Sequence, residues 1–392
     1  MWYVRPVIAV RGFSFAGVSA GIKQKGGFDV GLMVADRACP AAAVFTRNRV
    51  AAAPVGVSRA ALAKAKGKAR GLVVNSGNAN ALTGAAGLRD ARRMQAQAAQ
   101  AIGAAPGEVL VASTGVIGVP LPMEQVEAGI AEAAARLSPG GFGDFARAIL
   151  TTDRSSKVAE RAVGGARLIG CTKGAGMIAP DMATTLTFVA TDAAAAPAAL
   201  KRMLADTCAA TFNAIAVDGD TSTNDMVLIM ASGAGPKVGA GALAGALADL
   251  LGDLARQLMR GGEGVHHVVT VEVRGAKSAA AARKVARAIA ISPLVKTAIA
   301  GADPNFGRIL AAAGNAGVPL RADRLQLDLD DVAIVRAGVP VDDAAREDSA
   351  RAVMQRSEYA IRVDLGLGPA RAHYLACDLS HEYVTINADY RT

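Results

Sequence analysis

Short apolar runs alternate with longer amphipathic stretches along most of the chain. The run GLVVN from Gly71 enters an Asn/Gly cluster, SGNANA, which predicts a buried strand and a turn. A helix follows over 88–102, stopped by Gly103 and Pro106. VLVAS over 109–113 predicts a second buried strand, ending in the loop TGVIGVPLP, and a helix over 123–137 is broken by SPGGFG. RLIGC over 167–171 precedes KGAGMIAPDMA, after which TTLTFV over 184–189 predicts a strand. Alanine runs such as 193–196 favour helix, and a helix is predicted over 197–211. The polar loop VDGDTSTND, 217–225, comes before the apolar run MVLIMA and either caps that run or lines a site. HVVTVEV over 267–273 alternates as a half-buried strand, a basic helix spans 278–291, and LQLDLDD and IRVDLGLG alternate again. Repeated strand, loop and helix predict a layered α/β fold, with no internal repeat and no linker.

Composition narrows the function classes. Of the 392 residues 52% are hydrophobic and 20% charged, enough for a large core and unlike a disordered chain. No 18-residue apolar run is free of charge, Gly and Pro, so no membrane span is expected. MWYVRPVIAVRGF does not fit a secretory signal, which points to a cytoplasmic protein. The net charge of +9 raises nucleic-acid binding. The basic residues are scattered, however, and aromatics total 4%; the dense spots 64–70 and 283–287 fall in alanine-rich helical patterns. Cys39, Cys171, Cys208 and Cys377 form no C-x-x-C pair and are expected to be buried thiols. His266 and His267, adjacent on a strand, would face opposite sides and not chelate together. No metal site is expected, and no P-loop, dinucleotide-binding or serine-elbow motif is present.

The junction Ala183-Thr184 stands out, because a Gly- and Pro-loosened loop meets a strand there. A threonine hydroxyl needs a base. Its own α-amine becomes available only if the preceding peptide bond is cut, and it titrates near about 7.7–8. Residue types alone leave two readings open, a plain strand start and a self-processing nucleophile.

The stretch KGAGMIAPDMATTLTFVATDA resembles the cleavage segment of the ornithine acetyltransferase (glutamate N-acetyltransferase) family of arginine biosynthesis. VFTRNRVAAAPV, VVNSGNANA, VASTGVIGVPLPM, FNAIAVDGDTSTND, SPLVKTAIAGADPNFGRILAAAGNAG and CDLSHEYVTINADYRT resemble the family in the same order, across essentially the whole chain. The resemblance implies an α+β sandwich shared with N-terminal-nucleophile aminopeptidases. It implies self-cleavage between Ala183 and Thr184 into chains 1–183 and 184–392, two of each forming a heterotetramer. It further implies ping-pong transfer of acetyl from N-acetylornithine to glutamate through Thr184, with no cofactor. Some members also accept acetyl-CoA, and the sequence leaves that donor open here. Carried over residue by residue, Thr184 is the nucleophile, and Thr114 and Gly115 form the oxyanion hole. Lys173, Thr151 or Thr152, Glu263, Asn387 and Thr392 bind substrate. Where the family tends to show Thr and Pro after LTTD, this chain has RSSK; GGEGVHH and MATT depart as well, and these departures flank the expected pocket.

Overall fold

The computed structural model describes residues 9–178, 185–341 and 344–389. Two sheets organise them. The larger has eight strands, ordered Val109–Val116, Lys68–Asn78, Val30–Phe45, Met226–Ala231, Leu186–Thr191, Ala166–Lys173 and Lys157–Val163, with Phe13–Val18 also paired to Val30–Phe45. The 16-residue strand Val30–Phe45 changes partners along its length. Residues 30–34 pair with 71–75, and residues 41–45 pair with 226–230. A register shift between Val34 and Cys39 marks the bend, so one strand passes from one layer to another.

Burial shows the layers. Phe13, Phe15, Leu72, Val74 and Leu110 share a core with Cys171, Leu186, Phe188, Met226 and Leu228, so two sheet faces meet. The alternate residues point the other way. Val73, Val109 and Val111 pack on Met94 and Ala98 of the helix Gly84–Ala101 and on Val126 and Ile130 of the helix Met123–Ala135. Val189, Val227 and Ile229 pack on Leu200 and Leu204 of the helix Pro197–Ala210 and on the helix Ala240–Arg260. In that last helix Leu243, Leu247, Leu250, Leu254 and Leu258 form one apolar stripe at helical spacing. The result is a helix–sheet–sheet–helix sandwich. Strands buried on both faces carry no polar alternation, which is why MVLIMA reads as a continuous apolar run.

The second sheet has six strands, ordered Val339–Pro340, Val332–Arg336, Gln326–Leu329, Glu358–Asp364, Val268–Ala276 and Ala370–Cys377. Val269, Val271 and Val273 alternate toward Val285 and Ile289 of the helix Ala279–Ala290, which Ser278 caps by accepting from Ala281 N. The sheets join where Ala216 N donates to Leu375 O at 2.9 Å.

Four local expectations change. Residues 193–196 are not helical, because Pro197 holds the residue before it extended (Ala196 ψ 145°). The basic stretch 64–70 is not one helix. The helix Ala53–Lys64 stops, Lys66 (φ 52°) and Gly67 (φ 75°) turn left-handed, and Lys68 starts a strand. The strand expected from Thr184 begins at Leu186 among the described residues, with Thr185 in a bend. The strand expected from His267 begins at Val268; the backbone N–H groups of His266 and His267 both donate to Asp378, each at 2.9 Å. The four cysteines are buried and unpaired, and burial pushes the thiols of Cys39 and Cys208 up to about 12. No helix among the described residues is long and apolar enough to cross a membrane.

Candidate active site

Strand ends from both sandwich layers converge on a cavity of about 280 Å³. Thr114, Gly115, Thr151, Thr152, Lys173, Glu263 and Asn387 all line it. Ala183, Thr184 and Thr392 lie outside the described residues. Thr185, next to the expected nucleophile, does line the cavity.

Thr114 and Gly115 close the strand Val109–Val116, and the NSGNAN cluster holds them in place. Ser113 Oγ donates to Asn75 Oδ1 at 2.6 Å, Asn75 Nδ2 donates to Asn78 O at 2.9 Å, and Asn78 Nδ2 donates to Val119 O and Pro120 O. Gly115 has φ +133°, and a Cβ there would stand 2.3 Å from the Gly77 carbonyl carbon. The turn therefore requires glycine.

The strand Ala166–Lys173 delivers Lys173, and hydroxyls below it lock its partner strand. Thr172 Oγ1 shares 2.7 Å hydrogen bonds with Thr185 and with Thr187, and Thr185 Oγ1 donates to Lys173 O. Burial dominates the Lys173 amine and pulls it below the ordinary lysine range, against Asp153 and Asp225, which favour its charge. Asp153 forms a buried ion pair with Lys157 and accepts from Gly174 N at 2.8 Å. Burial alone would raise the Asp153 carboxyl, but Lys157 and Lys173 outweigh it and hold the group below its usual value.

Asp153→Asn is expected to lower stability by about 3–5 kcal/mol, because Lys157 is left charged and buried. A depressed carboxyl contributes its full stability above the unfolded-state value near 3.9 and loses it as pH falls through the lower folded value. The variant should therefore lie below the wild type at neutral pH in denaturant melts, and the gap should close in acid. Equal midpoints at pH 7 would refute the role.

Glu263 faces Lys173 across the cavity wall. Its Oε1 accepts from Thr152 Oγ1 at 2.9 Å and its Oε2 from Asn387 Nδ2 at 3.0 Å. Thr151 instead approaches Lys173, whose Nζ lies 3.5 Å from its Oγ1, so the two threonines divide between the base and the acid. A Cβ on Gly176 would stand 2.4 Å from Glu263 Oε2, so glycine makes room for the carboxylate. The helix His381–Asp389 brings Tyr383 and Asn387 back to the site, anchored by Ser380 Oγ on Gly264 O at 2.7 Å.

Sequence reasoning left Asp218, Asn224, Asp225 and Tyr383 without roles, although it marked the loop 217–225 as a candidate site lining. Asp218 accepts from Met177 N at 2.5 Å and Ile178 N at 2.7 Å, fixing the chain that leads toward 183. Met177 is left-handed there, with φ 57°. Burial raises the Asp218 carboxyl, and burial followed by Asp218 raises the Tyr383 phenol. No described residue lining the cavity is a histidine. Among the described residues no three His, Cys, Asp or Glu side chains form a metal-binding group. Among the described residues lining it, the arrangement offers one basic side chain, several carboxyl groups and a rigid glycine turn, which suits a zwitterionic amino acid and an oxyanion.

The profile of the ArgJ family matches residues 14–392. The "Arginine biosynthesis bifunctional protein ArgJ" of Symbiobacterium thermophilum is 47% identical over 404 residues, covering 100% of both chains. That of Chlorobaculum tepidum is 45% identical over 407 residues, covering 99% of this chain and 100% of its own. The crystal structure of the Bacillus halodurans protein of the same name aligns with a TM-score of 0.50 at 37% identity, covering 52% of this chain and 98% of that one.

Proposed function

The chain belongs to the ArgJ family, and from that footing we propose that it moves acetyl from N-acetylornithine to glutamate through an acetyl ester on Thr184. It is a bifunctional enzyme of arginine biosynthesis, an acetyltransferase, and acetyl-CoA is a second acetyl donor in this reading. The observation that carries the site assignment is the convergence of Thr114, Gly115, Lys173, Glu263 and Asn387, with Thr185, on one cavity.

The chain first cuts itself between Ala183 and Thr184, giving chains 1–183 and 184–392, two of each assembling together in the cytoplasm. The Bacillus halodurans chain fits this length relation, since nearly all of it matches just over half of this one. The released α-amine of Thr184 accepts the proton of its own hydroxyl, and no histidine is needed. Thr184 Oγ attacks the acetyl carbonyl. The oxyanion is met by the Gly115 N–H and the Thr114 hydroxyl, both fixed before the reaction starts. Lys173 pairs the α-carboxylate shared by both substrates, and Glu263, set by Thr152 and Asn387, takes the side-chain ammonium of ornithine. Ornithine leaves, glutamate enters, and its amine takes the acetyl group. No metal or resident cofactor enters the scheme.

Intact mass under denaturing conditions tests this. Two fragments are expected, the second beginning at Thr184 and gaining one acetyl group with acetylornithine, then losing it to glutamate. Release of free acetate without transfer would favour an amide hydrolase of the same fold, and one full-length uncut mass would overturn the processing step.

A further inference from the structure

The scheme above leaves one proton without a carrier. An amino acid reaches the acetyl enzyme as an ammonium and leaves as an amide, so its nitrogen sheds two protons. One restores the Thr184 hydroxyl by way of the α-amine. The other needs a second acceptor at the same nitrogen.

Asp225 is a carboxyl of the same cavity that the scheme leaves without a role. It is 2% exposed and lines the cavity. Its chain neighbours are tied to both halves of the reaction centre. Asn224 Nδ2 donates to Ser113 O at 2.8 Å, one residue before Thr114, and Met226 N donates to Thr185 O at 3.0 Å, one residue after Thr184. Asn224 Nδ2 also donates to Ala79 O at 2.6 Å, and Thr46 N donates to Asp225 O at 3.0 Å, so the backbone there is fixed. The Ser222 side chain hydrogen-bonds the Asp225 carboxyl, and Oδ2 has no hydrogen-bond partner among the described residues. A buried carboxyl oxygen without a partner is costly, so a ligand group that completes it is favoured.

We propose that Asp225 is a second catalytic proton carrier, which gives a proton to the departing ornithine nitrogen and takes one from the arriving glutamate ammonium. This rests on Thr184 being the acetyl carrier. In acylation the amide C–N bond breaks as the Thr184 ester forms. The nitrogen gains one proton from the Thr184 hydroxyl and one from the Asp225 carboxylic acid, leaving as an ammonium. In deacylation Asp225 carboxylate takes one proton from the glutamate ammonium, the amine attacks the ester, and its second proton returns to Thr184 oxygen. The cycle closes with no net exchange with water. Burial holds the Asp225 carboxyl well above its usual value, against Lys173 and Ser222, the direction that favours the acid form with which the proposed cycle begins. Asp153, Lys157 and Glu263 act on Lys173 in turn.

The test compares two substrate pairs in the processed enzyme. The first is N-acetylornithine with glutamate. The second is the ester analogue 2-acetoxy-5-aminopentanoate with N-hydroxyglutamate, whose nitrogen is neutral at working pH; both keep the charges that Lys173 and Glu263 meet. With Asp225→Asn, transfer between the natural pair should fall by roughly 10²–10⁴ and between the analogues by less than about fivefold. Equal losses, or none, would overturn the proposal. The unaltered enzyme gives a second reading if the variant is not processed. Its kcat/KM for acetylornithine should fall on the alkaline side as Asp225 ionises, and that fall should be missing with the ester. A fall common to both donors refutes Asp225, since Lys173 serves both. A wild-type enzyme that never carries acetyl on Thr184 would instead sink the Thr184 reading itself.

Discussion

Thr184→Ala is expected to give a single uncut chain of 39.6 kDa with no acetyl transfer. The hydroxyl and a methyl are lost, and the hydroxyl serves twice. The Thr184 hydroxyl attacks the Ala183 carbonyl in processing and the acetyl carbonyl in turnover, and without the cut no α-amine exists to act as base. The fold should survive. Leu186–Thr191 is held on one side by Ala166–Lys173 and on the other by Met226–Ala231, and Leu186 and Phe188 are buried in the inter-sheet core. Thr184→Ser keeps hydroxyl and amine, so it should retain both activities at reduced rate. A denaturing gel and a transfer assay decide the matter. A Thr184→Ala protein that is still cut would end the self-processing proposal.

Gly115→Ala should lose about 10²–10³ in turnover, the scale of one oxyanion donor. The added methyl would meet the Gly77 carbonyl carbon at 2.3 Å and the Asn78 nitrogen at 2.5 Å, on a backbone at φ +133° that L side chains rarely adopt. Neither contact is the soft end of a side chain, so the turn itself must move, and the donors of Thr114 and Gly115 move with it. Lys173 and Glu263 sit on other segments, so KM for acetylornithine should change much less than kcat. A variant with wild-type kcat would remove this turn from the reaction, and a change confined to KM would make it a binding loop.

Most of this site was legible through the family resemblance, carried by the blocks around VLVASTG, KGAG and NSGNANA. Residue types alone left Thr114-Gly115 an ordinary turn and Ala183-Thr184 open between a strand start and a nucleophile. Gly115 occurs where a Cβ would collide with backbone at positive φ, and at Gly176 a Cβ would displace the Glu263 carboxylate, so both glycines have a steric reason that the tertiary structure supplies. Several strands were legible as apolar runs, with ends within a few residues of expectation, whereas Phe13–Val18, Val30–Phe45 and Lys157–Val163 were not read from the sequence. The alanine run before Pro197 misled, because alanine is a good helix former but the proline that follows forbids it the helical backbone.

By itself the sequence determined the family, the alternation of strands and helices, and the residues expected to touch substrate, because each of these rests on local spacing or on blocks of residues in order. The tertiary structure decided the rest. It placed two fully buried sheet faces against each other, which periodicity cannot reveal when both sides of a strand are apolar. It joined Glu263 to Thr152, 111 residues away, and set Thr151 on Lys173 instead. It left one oxygen of Asp225 buried and unpartnered among the described residues. Such facts depend on which distant groups share a small, poorly hydrated volume. There the cost of burying charge, and not the identity of any single residue, fixes which group is ionised and which stays open to a ligand.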